Sequence, residues 1–123
     1  MNTKSIGDYG ERCAARYLRK NRYKIIERNY RTKISEIDII ATDGDCLCFV
    51  EVKTRSNTDY GLPCEAVDSR KRHQIIKGAM SYMVKHHIDC AVRFDVVEVY
   101  TGTMFKKPRI NLIKNAFSTD GSL

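Results

Sequence analysis

ISEIDIIATDGDCLCFVEVKTR, residues 34–55, is the stretch that decides the fold. Two runs of alternating apolar and polar residues flank Asp43-Gly44. That dipeptide is a hairpin signal, because a type I′ turn needs positive φ at both central residues. Folding the runs about this turn pairs Thr42 with Asp45, Ile40 with Leu47, Asp38 with Phe49 and Glu36 with Glu51. The period-two alternation then sorts the side chains onto two faces. Ile37, Ile39, Ala41, Cys46, Cys48, Val50 and Val52 make an apolar face suited to a core. Ile40, Leu47 and Phe49 lie on the other face near the turn, followed by Asp38, Glu36, Glu51 and Lys53. Three carboxylates and one ammonium are thereby gathered in one patch.

Working outward, a helix is expected from about Lys4 to Lys20, with Gly7, Glu11, Ala14 and Leu18 at helical spacing and Cys13 and Tyr17 beside them. Glu11 thus falls on or beside the buried stripe, where a carboxylate is either paired or useful. YKIIERNY, residues 23–30, has the β-branched and aromatic content of a strand. Residues 54–65 are loop-like, punctuated by Gly61 and Pro63. A second helix is expected from about Glu65 to His86, with Val67, Ile76, Ala79, Met80, Met83 and Val84 as its apolar stripe. AVRFDVVEVY alternates as a strand, and RINLIKNAF adds a short optional one. The order α-β-β-β-α-β, with that last strand, predicts the α/β class: a mixed sheet flanked by helices. A single domain over 1–117 with a polar C-terminal tail at 118–123 is the expected organisation.

The chain of 123 residues carries 22 Lys and Arg against 15 Asp and Glu, a net charge of +7 that suits a polyanionic partner. No apolar run is long enough to span a bilayer, and the first residues lack the apolar segment of a secretory signal. A cytoplasmic protein without a membrane partner is expected. Five cysteines cannot all pair within one chain, and no CxxC spacing supports structural zinc. Ser-His-Asp arrangements, phosphate-binding glycine loops and dinucleotide fingerprints are absent from the sequence.

Phosphodiester hydrolysis needs carboxylates to hold a hard cation such as Mg²⁺, and a nearby ammonium to orient water or stabilise developing charge. Asp38 and Glu51 lie close on adjacent strands, and Lys53 shares the face of Glu51. An acid-x-acid strand joined by a short hairpin to E-x-K, after a helical Glu on a buried face, has the parts of such a site. The same residues also read as a cross-strand salt-bridge network of Glu36, Glu51 and Lys53. Against that, the acids outnumber the local base, and like charges placed opposite each other are unfavourable without a counterion.

The segments GDYGERCAARYL, RNYRTKISEIDII, FVEVKTR, YGLPCEAVDSRKR and RFDVVEVY resemble the YraN family, bacterial proteins described as endonuclease-like. The resemblance covers roughly residues 5 to 100, with motif order and spacing kept. That family is similar to archaeal Holliday-junction resolvases and the wider restriction-endonuclease-like superfamily, whose signature is an acid followed by (D/E)-x-K on a hairpin. The resemblance implies Asp38, Glu51 and Lys53 as that signature, with Glu11 as the acid of the first helix and Glu36 as a possible additional acid. It implies Mg²⁺ or Mn²⁺ bound by Asp38, Glu51 and Glu11, and a homodimer. One departure stands out: the family's glycine before the Glu is Ser35 here.

Arg70, Lys71, Arg72 and Lys77 on the second helix, and Arg55 after the E-x-K strand, are candidate phosphate contacts; the same charges also suit a solvated helix face. The functional expectation is a metal-dependent nuclease acting on DNA, branched or otherwise structured. Its rivals are a non-catalytic nucleic-acid-binding protein on the same scaffold and an adaptor in a repair or DNA-uptake assembly.

Overall fold

The computed structural model describes residues 3–55, 68–102 and 107–119. Elements run in the order α1 (Thr3–Lys20), β1 (Lys24–Arg31), β2 (Glu36–Asp43), β3 (Cys46–Arg55), α2 (Ser69–Lys85), β4 (Val92–Tyr100) and β5 (Arg109–Phe117). The strands form one sheet in the order β1-β2-β3-β4-β5. β1, β2 and β3 are an antiparallel meander, β3 and β4 are parallel across α2, and β5 returns antiparallel to β4. This is the expected mixed α/β sheet, and the optional last strand is present. Among the described residues no helix is long and apolar enough to cross a membrane.

The hairpin differs from the sequence expectation by one step at its turn. Asp43 pairs with Cys46, Thr42 with Leu47, Ile40 with Phe49 and Ile39 with Val50. Gly44 has φ +61°, while Asp45 is not among the positive-φ residues, so Gly44-Asp45 is the two-residue loop. Glycine thus takes the first central position, the arrangement of a II′ turn, instead of the second position of a I′ turn. Each residue of β2 meets a partner two places further along β3 than expected. An even shift leaves the faces unchanged, so most of the side-chain assignment survives.

Two features of those faces stand out. Both faces are covered, each by one helix, so the face carrying Glu51 and Lys53 packs against α2. Cys13, Ala14, Ala15 and Leu18 of α1 pack with Ile39, Ala41, Cys48, Val50, Val97 and Val99. Ile75, Ile76, Ala79 and Tyr82 of α2 pack with Ile40, Leu47, Phe49, Phe94, Val96 and Phe117 on the opposite face. Secondly, Ile37 belongs to the α2 side, away from Ile39 and Ala41. Asn29 of β1, at φ +56°, lies across from Asp38 between the pairs Arg28–Ile39 and Tyr30–Ile37. Asn29 is thus left-handed at the level where alternation in β2 changes sides, while the β1–β2 register shifts between Ile25 and Glu27.

The described part of α2 starts at Ser69, with Asp68 as N-cap accepting from the Lys71 amide at 2.9 Å. Its stripe is Ile75, Ile76, Ala79 and Tyr82, whereas Met80 and Val84 are exposed at 55% and 77%. The expected Met80–Val84 edge therefore turns outward. Tyr82 takes the inward position, its ring edge-on to Tyr30 at 5.3 Å and Phe49 at 5.9 Å. Gly61, Pro63, Val67 and the 120–123 part of the tail lie outside the described residues. On α1, the space a side chain at Gly10 would need is filled by Thr54 Oγ1 of β3. Glycine lets the helix ride close over the strand that carries the candidate site.

Candidate functional site

The β2–β3 ladder ends at Ile39–Val50. Beyond that rung the two strands part, and the Val52 amide has no ladder acceptor on β2. The Asp38 carboxylate fills the gap, its Oδ2 accepting from Val52 N at 2.8 Å. This charge-assisted bond holds Asp38 against the backbone of the E-x-K strand. The expected pairs Asp38–Phe49 and Glu36–Glu51 are thus absent, yet Asp38 and Glu51 are brought together by another route. The Val52 side chain points to the α1 core, as the alternation requires.

Glu51 is the central charged group, 5% exposed and facing α2. Its Oε2 lies 3.5 Å from Lys71 Nζ and 3.9 Å from Lys53 Nζ. Burial, a hydrogen bond to the Asp38 carboxyl and the charge of Asp38 push its pKa up to about 8, against the pull of Lys71 and Lys53. Two carboxyls and two ammonium groups therefore meet where the sheet opens. Lys53 and Lys71 are partly exposed, so the pair of acids is reached from solvent past the lysines.

Glu11 and Glu36 form an adjoining tier. Burial, then the charge of Asp38, raises the Glu11 pKa, while Arg28 at 4.0 Å lowers it. Glu36 pairs with Arg31 at 3.5 Å. With its amide nitrogen turned to the acids, Asn29 donates to Glu11 at 2.9 Å and to Glu36 at 3.2 Å. Asn29 was not singled out by sequence reasoning. An Asn before an aromatic residue at the end of a strand carries only a weak signal for a left-handed position.

The other candidates separate. Lys71 enters the site directly. Arg70 and Lys77 are exposed on α2, and the Arg72 guanidinium lies 5.9 Å from the Phe117 ring. Arg55 is drawn into the sheet, 3.9 Å from the fully buried Glu98, which also accepts from Asn111 at 2.9 Å. Glu98 escaped the sequence reading because EVY on an apolar strand looks like a solvated position. Asp95 is fully buried and bound by Arg93, Tyr23 and the Asn115 amide, a structural role. A 330 Å³ cleft lined by Arg31, Thr32, Ile34, Ser35, Glu36, Lys71, Gln74 and Ile75 runs from the site along the first half of α2.

No three acidic, histidine or cysteine side chains among the described residues already stand as a metal cage. Mg²⁺ does not require one, since it keeps several waters and is commonly held by one or two carboxylates plus substrate oxygens. A buried Glu51 beside Asp38, its pKa raised by burial and then by that proximity, is a donor pair that fits such a cation. A divalent ion would take the place of the proton the pair otherwise retains.

Comparisons with known proteins give one consistent answer. The model of a family described as "Uncharacterised protein family UPF0102" matches residues 10–99. A UPF0102 protein of Clostridioides difficile (strain 630) is 50% identical over 118 residues, covering 95% of this chain and 100% of that protein. A UPF0102 protein of Alkaliphilus metalliredigens is 48% identical, covering 94% and 99%, and one of Geobacter metallireducens is 46% identical, covering 95% of each.

Proposed function

The chain belongs to the uncharacterised protein family UPF0102, and from that premise and the site itself we propose that it is a metal-dependent nuclease acting on DNA. The observation that carries this reading is the meeting of Asp38, Glu51, Lys53 and Lys71 where β2 leaves β3. The resemblance of its motifs to the YraN family and to archaeal Holliday-junction resolvases supports the same reading and favours branched or structured DNA. So does the net charge of +7.

In this reading Asp38 and Glu51 hold Mg²⁺ or Mn²⁺, with Glu11 near enough to Asp38 to bias its charge. The bound cation supplies Lewis acidity toward a phosphoryl oxygen and makes a water more acidic. Lys53, beside Glu51, orients the attacking water and offsets charge on the phosphate. Lys71 holds a phosphate at the mouth of the cleft. Asp38, tied to the Val52 amide, keeps the pair of acids in register with the E-x-K strand. Two copies of the chain would present two such sites to two strands.

The test is a cleavage panel of junction, flap, duplex and single-stranded DNA, with Mg²⁺ and with Mn²⁺. The expected outcome is metal-dependent products that fall at least ~100-fold in Lys53→Ala and Glu51→Ala, with unfolding profiles still cooperative. Equal cleavage by those variants would remove this site from the reaction. Salt-sensitive binding with no products under either metal would replace the nuclease by a non-catalytic binder.

A further inference from the structure

Away from the candidate site, a second cleft of 350 Å³ opens between α1 and the start of β5. It is lined by Cys13, Arg16, Tyr17 and Lys20 of α1 and by Lys107, Pro108 and Ile110. The α1 residues fall at spacings of three, four and seven, so they form one flank of the helix. Glu11 occupies the other flank, facing Arg28 and Asn29. Three cations line this cleft and no acid does. Elsewhere the basic side chains near acids are paired: Arg28 with Glu11, Arg31 with Glu36, Lys71 with Glu51, Arg93 and Lys114 with Asp43. The side chains of Arg16, Lys20 and Lys107 make no hydrogen bond or ion pair with the described residues. Tyr17, Pro108, Ile110 and the Cys13 thiol make the rest of the wall.

Three cations beside an aromatic and aliphatic wall suit a ligand that is anionic at one end and flat and apolar at the other. We propose that the α1–β5 cleft binds a nucleotide unit, its phosphate among Arg16, Lys20 and Lys107 and its base against Tyr17. Strand-tracking nucleic-acid sites combine these two features, with cations along the backbone and an aromatic platform for a base. A base paired within a duplex has no free face for Tyr17, so the unit is unpaired. The proposal rests on the nuclease reading only in taking nucleic acid as the partner. It adds a contact for an unpaired nucleotide on the α1 side of the sheet, apart from the acids of the candidate site.

The test is fluorescence anisotropy with a labelled short oligothymidylate in EDTA, where no metal-dependent cleavage intervenes. The charge-reversed protein Arg16→Glu/Lys107→Glu is expected to bind at least tenfold more weakly, with its salt slope reduced by about 1.4 for two lost phosphate contacts. Tyr17→Leu keeps the apolar wall and is expected to weaken strand binding about fivefold or more. If the double reversal disturbs folding, Arg16→Gln/Lys107→Gln makes the same measurement with both charges removed. Competition by thymidine monophosphate identifies a free nucleotide as the source; competition by unlabelled strand alone identifies a nucleotide within a chain. Binding unaltered in the charge variants, or in Tyr17→Leu, overturns the assignment. Failure of the wild type to cleave any substrate defeats the nuclease reading without touching this result.

Discussion

Glu51→Gln should make the metal-free protein more stable at alkaline pH. The carboxylate is 5% exposed and shares its surroundings with Asp38, which raises its pKa from 4.5 to about 8. A folded-state pKa above the unfolded value means the native protein binds the proton more tightly. Below about 4.5 the group is neutral in both states and no penalty exists. As pH rises from there to about 8, the unfolded chain has released the proton that the folded chain keeps. Stability therefore falls with pH across that window, and the full penalty is present above it. At ~1.4 kcal/mol per pH unit the ceiling is on the order of 5 kcal/mol. Water reaching the site past Lys53 and Lys71, together with the two ion pairs lost on substitution, reduces the gain to roughly 2 kcal/mol.

The assay is urea unfolding of both proteins in EDTA at pH 5 and pH 9. The two midpoints should nearly coincide at pH 5, and the Gln protein should unfold at higher urea at pH 9. Mg²⁺ at ten times its dissociation constant should then stabilise the wild type by about 1.4 kcal/mol and leave Glu51→Gln unchanged. A wild type more stable than the variant at pH 9 would mean that the lysines more than compensate the carboxylate. The pair of acids would then be a satisfied ion-pair network, and the argument for a cation between them would fail.

Two further substitutions probe what supports the site. Asp95→Asn leaves the Arg93 guanidinium short of its buried partner and weakens the bonds from Tyr23 and Asn115, so a loss of about 3 kcal/mol in urea unfolding is expected. Ser35→Ala removes a buried hydroxyl that has no hydrogen-bond partner among the described residues and presses toward Gly78 of α2. The variant should gain about 1 kcal/mol in thermal unfolding, and a loss would mean that the hydroxyl finds a partner in solution.

Much of this arrangement was legible because alternation is a local property. The strand set and the separation of Ile39, Ala41, Cys48 and Val50 from Phe49, Glu51 and Lys53 follow from period two, both helices follow from the 3.6-residue spacing of their apolar stripes, and all survive a hairpin one residue out of place. What alternation cannot show is where a ladder stops. Asp38 was assigned to the patch as an ordinary cross-strand neighbour, whereas it acts as a substitute acceptor for the Val52 amide. Asn29 and Lys71 enter the site from β1 and α2, two elements whose approach is set by tertiary packing that no local pattern encodes. Tyr82 was overlooked and Met80 overrated for a related reason. A ring with a polar tip is weighted lightly by an apolar stripe but fills the gap beside Tyr30 and Phe49 better than a thioether does.

The parting of β2 from β3 links these points. A charged group in a sheet with both faces covered needs a partner: Arg55 and Asn111 serve Glu98, and a released backbone group serves the acids here. Releasing the Val52 amide provides that group, and the carboxylate that occupies it is then fixed in place without needing a lysine of its own. Glu51 is consequently left as the acid whose ionisation burial and Asp38 oppose, beside two lysines that lie at 3.5 and 3.9 Å. If Asp38 were only a stabilising patch over a broken ladder, an asparagine would accept the same bond and relieve the repulsion with Glu51. Retaining the charged residue is the costlier choice for folding, and it gains a purpose where a cation is to be held between the two strands.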